Sequence, residues 1–270
     1  MFYDTSFALE LCSSLEKSYA IAVLTPSESK RLIARGVAAM PEVRRALAHG
    51  QVIVAKGTTT AYVAEEILKT PVPNPDFAAG IIWDGQLGIN PREARLSPFT
   101  IEKGQMVEMR WQDFLRQFQA QDVFIKGVNA VDPQGNAGIL VANPNGGTAG
   151  YAWALVSARG AYFVVPVGLE KLIPSVIEAS MKCGIMRFKE AMGHSVGMLP
   201  VVNALVVTEV QAITLLTGVA ATHVGSGGIG GSEGSVVLAL EGREDRVANA
   251  FQLLQSLKGE PSIPKPLAQQ

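Results

Sequence analysis

The sequence predicts an α/β fold: a layered, Rossmann-like sheet, followed by a smaller ferredoxin-like α+β C-terminal unit. Three observations predict it. Short apolar, β-branched runs at 51–56, 122–128 and 161–168 have the length and character of buried strands. Segments with helical spacing, at 61–69, 111–119 and 147–160, separate them. Such alternation argues for parallel crossover units. From about residue 200 the order becomes strand, helix, strand, strand, helix, which fits a ferredoxin-like unit of about 55 residues.

In chain order, 5–17 reads as a short amphipathic helix. After Thr25-Pro26, residues 27–30 open a helical region that runs to His49, is punctuated at Met40-Pro41 and ends at Gly50. Arg31, Arg35, Arg44 and Arg45 decorate its solvent face. Residues 70–76 form a Pro-rich connector. Residues 77–89 and 104–111 read as strands with turns, 136–142 as a further buried strand and 173–184 as a helix. The C-terminal unit takes strands at 203–209, 220–225 and 234–242, with helices at 210–218 and 243–259. A boundary near 198–202 gives an α/β domain over 1–199 and a smaller unit over 200–270 with a Pro-rich tail.

Composition narrows the function classes. The chain has 270 residues, with 23 Lys plus Arg against 24 Asp plus Glu, a net charge of −1. A phosphate-backbone binder normally carries a basic surplus, so no nucleic-acid partner is expected. Charged residues are 17%, against about 25% in ordinary soluble domains, and mean hydropathy is +0.22. A surface so sparsely charged predicts a homo-oligomer. Two cysteines, Cys12 and Cys183, cannot build a disulfide framework or a four-thiolate site. Asp4, Glu10, Glu16 and Lys17 interrupt the early apolar run, so no signal peptide is read. The long uncharged stretches 133–158, 191–208 and 210–232 contain Pro, Asn and Gly and make poor membrane spans. The expected location is cytoplasmic, with no membrane partner.

Five segments could carry chemistry. Lys56, Gly57, Thr58, Thr59 and Thr60 sit between a strand and a helix, where free backbone N–H groups and a partial positive charge attract anions. The alternative is a plain N-cap and turn. Lys126, Asn129, Asp132 and Asn136 follow another strand. They either line a cleft, with Asp132 as a catalytic carboxylate, or form a tight turn in which Asp132 and Asn136 bond their own backbone. Gly146, Gly147 and Thr148 lead into a further helix, as a second anion-receptive N-terminus or a flexible turn. Glu170-Lys171 closes a strand end. The glycine-rich run 225–235 carries Glu233 and reads as a flap over a ligand or an exposed tip. The isolated histidines His49, His194 and His223 read as structural, and neither metal nor cofactor is expected.

Together these segments resemble the superfamily of glucosamine-6-phosphate deaminase, ribose-5-phosphate isomerase and CoA-transferases. Residues 52–68 are similar to the isomerases' phosphate loop after the first strand, 126–136 to their glycine-acid segment, and 143–150 falls near their lysine–glycine run. Residues 163–175 are similar to a stretch of the lactate-utilisation domains of the same superfamily. The resemblance implies a small phosphorylated or carboxylated metabolite, handled by isomerisation or acyl transfer. Matched residue by residue, the isomerases' two catalytic aspartates fall on Lys126 and Asn129, and Asp132 alone keeps a carboxylate. Ser232-Glu233-Gly234 resembles the CoA-transferases' nucleophilic glutamate followed by small residues. The loss of the other acids equally fits a module that senses a metabolite, or assembles, without converting it.

Overall fold

A 3-10 turn at Ser6–Ala8 precedes the first strand, β1 (Lys17–Leu24). The computed structural model describes residues 1–10, 12–13, 17–91, 93 and 95–264. The helix expected over 5–17 lies partly outside them; within them it is replaced by that turn and by the start of β1, since one turn is too short to sustain a helix. Two helices follow, α1 (Pro26–Ala39) and α2 (Pro41–His49). Thr25 Oγ1 accepts from the Glu28 N–H while Glu28 Oε2 accepts from the Thr25 N–H, a reciprocal cap that fixes where α1 begins. Pro41 has no N–H to continue the ladder, so the helical region splits there.

The chain continues through β2 (Gln51–Val54), α3 (Thr58–Leu68), β3 (Gly80–Trp83) and β4 (Gln86–Ile89). Next come β5 (Phe99–Glu102), β6 (Gln105–Met106), α4 (Trp111–Leu115) and β7 (Val123–Ile125). β8 (Ala130–Val131), β9 (Ala137–Val141), α5 (Gly147–Arg159) and β10 (Tyr162–Pro166) follow. Then come α6 (Val176–Lys182), β11 (Gly197–Val201), β12 (Leu205–Val207) and α7 (Glu209–Thr217). The last elements are β13 (Ala220–Gly227), β14 (Ser235–Arg243) and α8 (Glu244–Gln255).

The fold is mixed α/β. Its largest sheet has six strands in the order β12-β10-β7-β2-β5-β6. β2, β7, β10 and β12 are parallel to one another, while β5 and β6 add an antiparallel edge. Apart from Gln51 at the start of β2, the parallel strands run almost wholly apolar because both faces are covered. Val52, Val54, Val123, Ile125, Val164 and Val207 face the core that contains α1, α3 and α7. Ile53, Phe124, Phe163, Val165 and Val206 alternate with them and face a second core with α4 and α5.

Residues 136–142, read as one more strand of that layer, form β9 instead. It pairs antiparallel with β8 and β11 in a separate three-stranded sheet. Crossing from β7 into the next parallel strand needs a long connection, and β8–β9–α5 is that connection.

The small C-terminal sheet has the order β1-β14-β13, antiparallel throughout. Strand pairing crosses the boundary expected near 200 in both directions. β12, expected in the C-terminal unit, is an edge of the six-stranded sheet, and β1, from the far N-terminal side, completes the small one. β1 escapes sequence reading because Tyr19, Ile21 and Val23 on one face and Ala20, Ala22 and Leu24 on the other leave no polar alternation. α1 contacts both sheets, touching β10 and β12 as well as β1 and β14. Val236, Leu238 and Leu240 of β14 share one core with Leu32, Val37 and Val164. Exposing those three β14 side chains alone would cost on the order of 5–9 kcal/mol, so the two sheets act as one body of packing. At the crossing of α1 and α7, a Cβ on Gly36 would sit 2.7 Å from the Ala212 Cβ, so the helices meet there only because the residue is glycine.

Candidate functional site

The carboxyl ends of β2, β7 and β10 open into one cleft of about 760 Å³. Ligand sites of open α/β sheets lie at such strand ends. Its floor is Lys56–Thr59 after β2, Lys126–Asn129 after β7 and Lys171 after β10. β9 and the start of α5 form one wall, Arg110–Gln112, Arg116 and Tyr151 another, and the β3–β4 hairpin with His194 lines a further side.

Local chemistry fixes each loop. The Gly57 N–H donates to the Phe77 carbonyl at 2.8 Å, Asn74 Nδ2 donates to the Thr58 carbonyl at 3.0 Å, and Thr60 Oγ1 turns back onto the Gly57 carbonyl at 3.0 Å. Thr60 is therefore fully buried and acts as a local clasp outside the cleft wall, while Thr58 and Thr59 line it. α5 begins at Gly146 and Gly147, whose φ values of +76° and +58° are left-handed and favour glycine at both positions. Asn143 Oδ1 accepts from the Asn145 N–H at 2.8 Å and holds that turn. Two helices, α3 and α5, thus start on the cleft with their first N–H groups unpaired within the helix.

Lys126 is anchored rather than ion-paired. Its Nζ donates to the carbonyls of Lys56 and Gly127, each at 3.0 Å. Burial pushes its ammonium down to about 8, and the neighbouring Lys171 charge pushes the same way. Lys171 is lowered to about 8 as well, by burial and then by Lys30, against the opposing pull of Glu170 and Glu209. Behind Lys171 the sheet encloses a charged cluster. Lys30 Nζ lies 3.1 Å from Glu170 Oε1, and the fully buried Glu209 accepts the Leu169 N–H at 3.0 Å. Burial raises the Glu209 carboxyl above its ordinary value.

Most of the residues singled out by sequence meet here: Lys56, Gly57, Thr58, Thr59, Lys126, Asn129, Gly146, Gly147 and Thr148 line one cleft. Thr60, Asp132, Asn136 and Glu233 do not. Asp132, expected as a catalytic carboxylate, is 1% exposed. Its oxygens accept from the Gln134 and Asn136 N–H groups, Asn136 Nδ2 and the Val176 N–H, at 2.9–3.1 Å. It is the tight-turn alternative that the residues adopt, extended to hold the first turn of α6. Burial would raise the Asp132 carboxyl, but these hydrogen bonds together hold it below the usual carboxylate range. Glu233 is on the exposed tip between β13 and β14, where its Oε2 accepts the Gly231 N–H at 2.9 Å.

Sequence reading missed Arg95, Arg110, Arg116, Lys171 and His194 as cleft residues. Glu170-Lys171 carried a usable signal, since a charged pair directly after a buried strand belongs at the same sheet edge as Lys56 and Lys126. The arginines carried none.

Among the described residues, the lining includes six cationic side chains, Lys56, Lys126, Lys171, Arg95, Arg110 and Arg116, and no Asp or Glu. The chain as a whole is nearly neutral, so this separation of charge is local to the cleft. Fold and site together describe an α/β protein with a cation-lined cleft at its strand ends. No family model, curated protein or solved structure matches the chain. Among the described residues, no helix is long and apolar enough to cross a membrane.

Proposed function

We propose that the protein binds a small phosphorylated or carboxylated metabolite in this cleft. The observation that carries the reading is the wall itself: among the described residues, six cations, two helix N-termini and no carboxylate line one space. An anion there gains charge-assisted hydrogen bonds from amines already desolvated in the apo state. The rest of the chain has more acidic than basic side chains, which keeps the attraction specific to the cleft. The layered Rossmann-like description, the ferredoxin-like C-terminal unit and the superfamily resemblance belong to this reading too. The layered description and the resemblance are supported by the two loops of 56–59 and 126–129, which lie side by side at parallel strand ends.

The same wall argues against a carboxylate-driven isomerase or a glutamate-initiated CoA-transferase. Both need a carboxylate against the substrate, and Asp132 and Glu233 lie off the cleft. That favours a second reading, a sensor that binds its metabolite without converting it. Thermal-shift measurements with matched pairs, D-glyceraldehyde 3-phosphate against D-glyceraldehyde and pyruvate against acetone, test the anion requirement. Only the anionic member of each pair is expected to stabilise the fold, less so at 0.5 M than at ~0.05 M salt. Equal shifts within a pair would refute the reading.

Self-association is also proposed. On the outer face of the small sheet Tyr19, Ile21 and Val23 are 66%, 65% and 47% exposed, an apolar stripe on a regular surface. Light scattering at micromolar concentration is expected to give at least twice 28.6 kDa; a monomer mass would remove the proposal.

A further inference from the structure

The cleft contains a nucleophile that neither metabolite binding nor the family resemblance requires. A lysine ammonium has three N–H donors, and the two directions spent by Lys126 are fixed by the carbonyls of Lys56 and Gly127 at 3.0 Å. A neutral amine has two N–H donors and one lone pair. Lys126 can lose its proton, keep both anchors and leave its lone pair directed away from them, with its side chain on the cleft wall. Lys171 sits close enough to interact electrostatically with Lys126, which favours the neutral form of one member of the pair. The two are not equivalent. Lys171 has Glu170 at 3.9 Å and Glu209 nearby to hold its proton against the opposing charge of Lys30, whereas among the described residues no carboxylate lines the cleft beside Lys126. Lys56 supplies a carbonyl to Lys126 and its own positive charge to the same floor.

We propose that the Lys126 ε-amine forms an imine with the carbonyl carbon of a phosphorylated or carboxylated aldehyde or ketone held in the cleft. The inference rests on the anion-binding reading above and names the substrate class for it. The lone pair of Nζ adds to the carbonyl carbon, and the π pair moves to oxygen, which takes a proton from the adding nitrogen. The Lys171 ammonium then protonates the resulting hydroxyl, which leaves as water as the nitrogen lone pair forms the C=N bond. One amine and one carbonyl become one iminium and one water, and the proton that Lys171 gives up balances the charge. No oxidant or reductant takes part. The substrate's anionic group rests on the N-termini of α3 and α5, and its carbonyl faces Lys126.

The test is reductive trapping of the full chain with D-glyceraldehyde 3-phosphate and sodium cyanoborohydride, with adducts located by peptide mass spectrometry. The expected result is a single adduct on Lys126. Its rate should pass through a maximum near pH 8, where a neutral Lys126 and a charged Lys171 coexist, and fall above it, while exposed lysines keep gaining toward ~10.4. Inorganic phosphate should slow the labelling, and D-glyceraldehyde should label Lys126 at least tenfold more slowly. Lys126→Arg, checked for folding by circular dichroism, should lose the adduct. If inorganic phosphate binds the unmodified chain by calorimetry but adducts spread over surface lysines, the imine inference is overturned and the anion site stands. If phosphate does not bind at all, both fall.

Discussion

Lys171→Met is expected to weaken inorganic phosphate binding about 10- to 100-fold, and Lys126→Met by a similar factor. A hydrogen bond to a charged group contributes about 1.5–3 kcal/mol, and each 1.4 kcal/mol is a factor of ten. Both side chains are half-buried on the cleft lining, so salt screens them less than it would surface lysines. Arg110→Ala is the contrast. Its side chain is 77% exposed and lies 3.9 Å from Asp113, so its loss should change affinity less than about threefold. The pH dependence has a definite sign. With Lys126 and Lys171 both lowered to about 8, each is charged below that value and neutral above it, so phosphate affinity should fall as pH rises from 8 to 10. The two titrate as a coupled pair, so the decline is broad. Calorimetric titrations of the three variants and of the unmodified chain across that range check all of this. An unchanged affinity in Lys171→Met would show that the anion sits elsewhere.

Asp132→Ala is expected to cost about 3 kcal/mol, a fall in Tm of roughly 6–12 °C. The loss comes from removing one carboxylate that satisfies three backbone N–H groups and a side-chain amide, two of whose positions, Gln134 and Asn136, make the β8–β9 turn while Val176 starts α6. The Val176 N–H is buried and cannot turn to water. Asp132→Asn keeps an acceptor and should lose less. Because the folded carboxyl is held below its ordinary value, its stabilisation is present above about pH 4 and is lost as pH falls through the folded value. Phosphate affinity of Asp132→Asn should stay within threefold of the unmodified chain, since Asp132 is off the cleft. A stable Asp132→Ala variant that failed to bind phosphate would reverse the assignment and return Asp132 to the site.

How much of this could be read in the sequence follows from which interactions are local. The loops at 56–60 and 146–148 announce themselves, because a buried apolar run followed by Gly, Thr or Asn and then helical spacing is a strand end meeting a helix start; the loop at 126–129 shows itself as Lys, Gly and Asn directly after a buried strand. The residues between 132 and 136 are equally local, and their turn alternative was open from the pattern alone; a carboxylate spaced to bond its own backbone competes directly with one aimed at a ligand. Lys171 was half visible. Arg95, Arg110, Arg116 and His194 reach the cleft from the β4–β5 connection, the ends of α4 and the segment before β11. Nothing in their neighbours' spacing encodes that approach. The pairing of β1 with β14 spans more than two hundred residues. Such contacts arise from packing of whole layers, which is why the small sheet recruited a strand that no periodicity assigned to it.

The central claim is that the first amides of α3 and α5, with the floor lysines, hold an anion. Amide chemical-shift mapping of the uniformly 15N-labelled chain during titration with inorganic phosphate tests it most directly. The account predicts saturable shifts concentrated at Thr58, Thr59, Gly147 and Thr148, with those of Glu233 and the 225–235 tip unmoved. Shifts absent from those four amides, or confined to exposed lysine-rich surface at the same phosphate concentration, would contradict it.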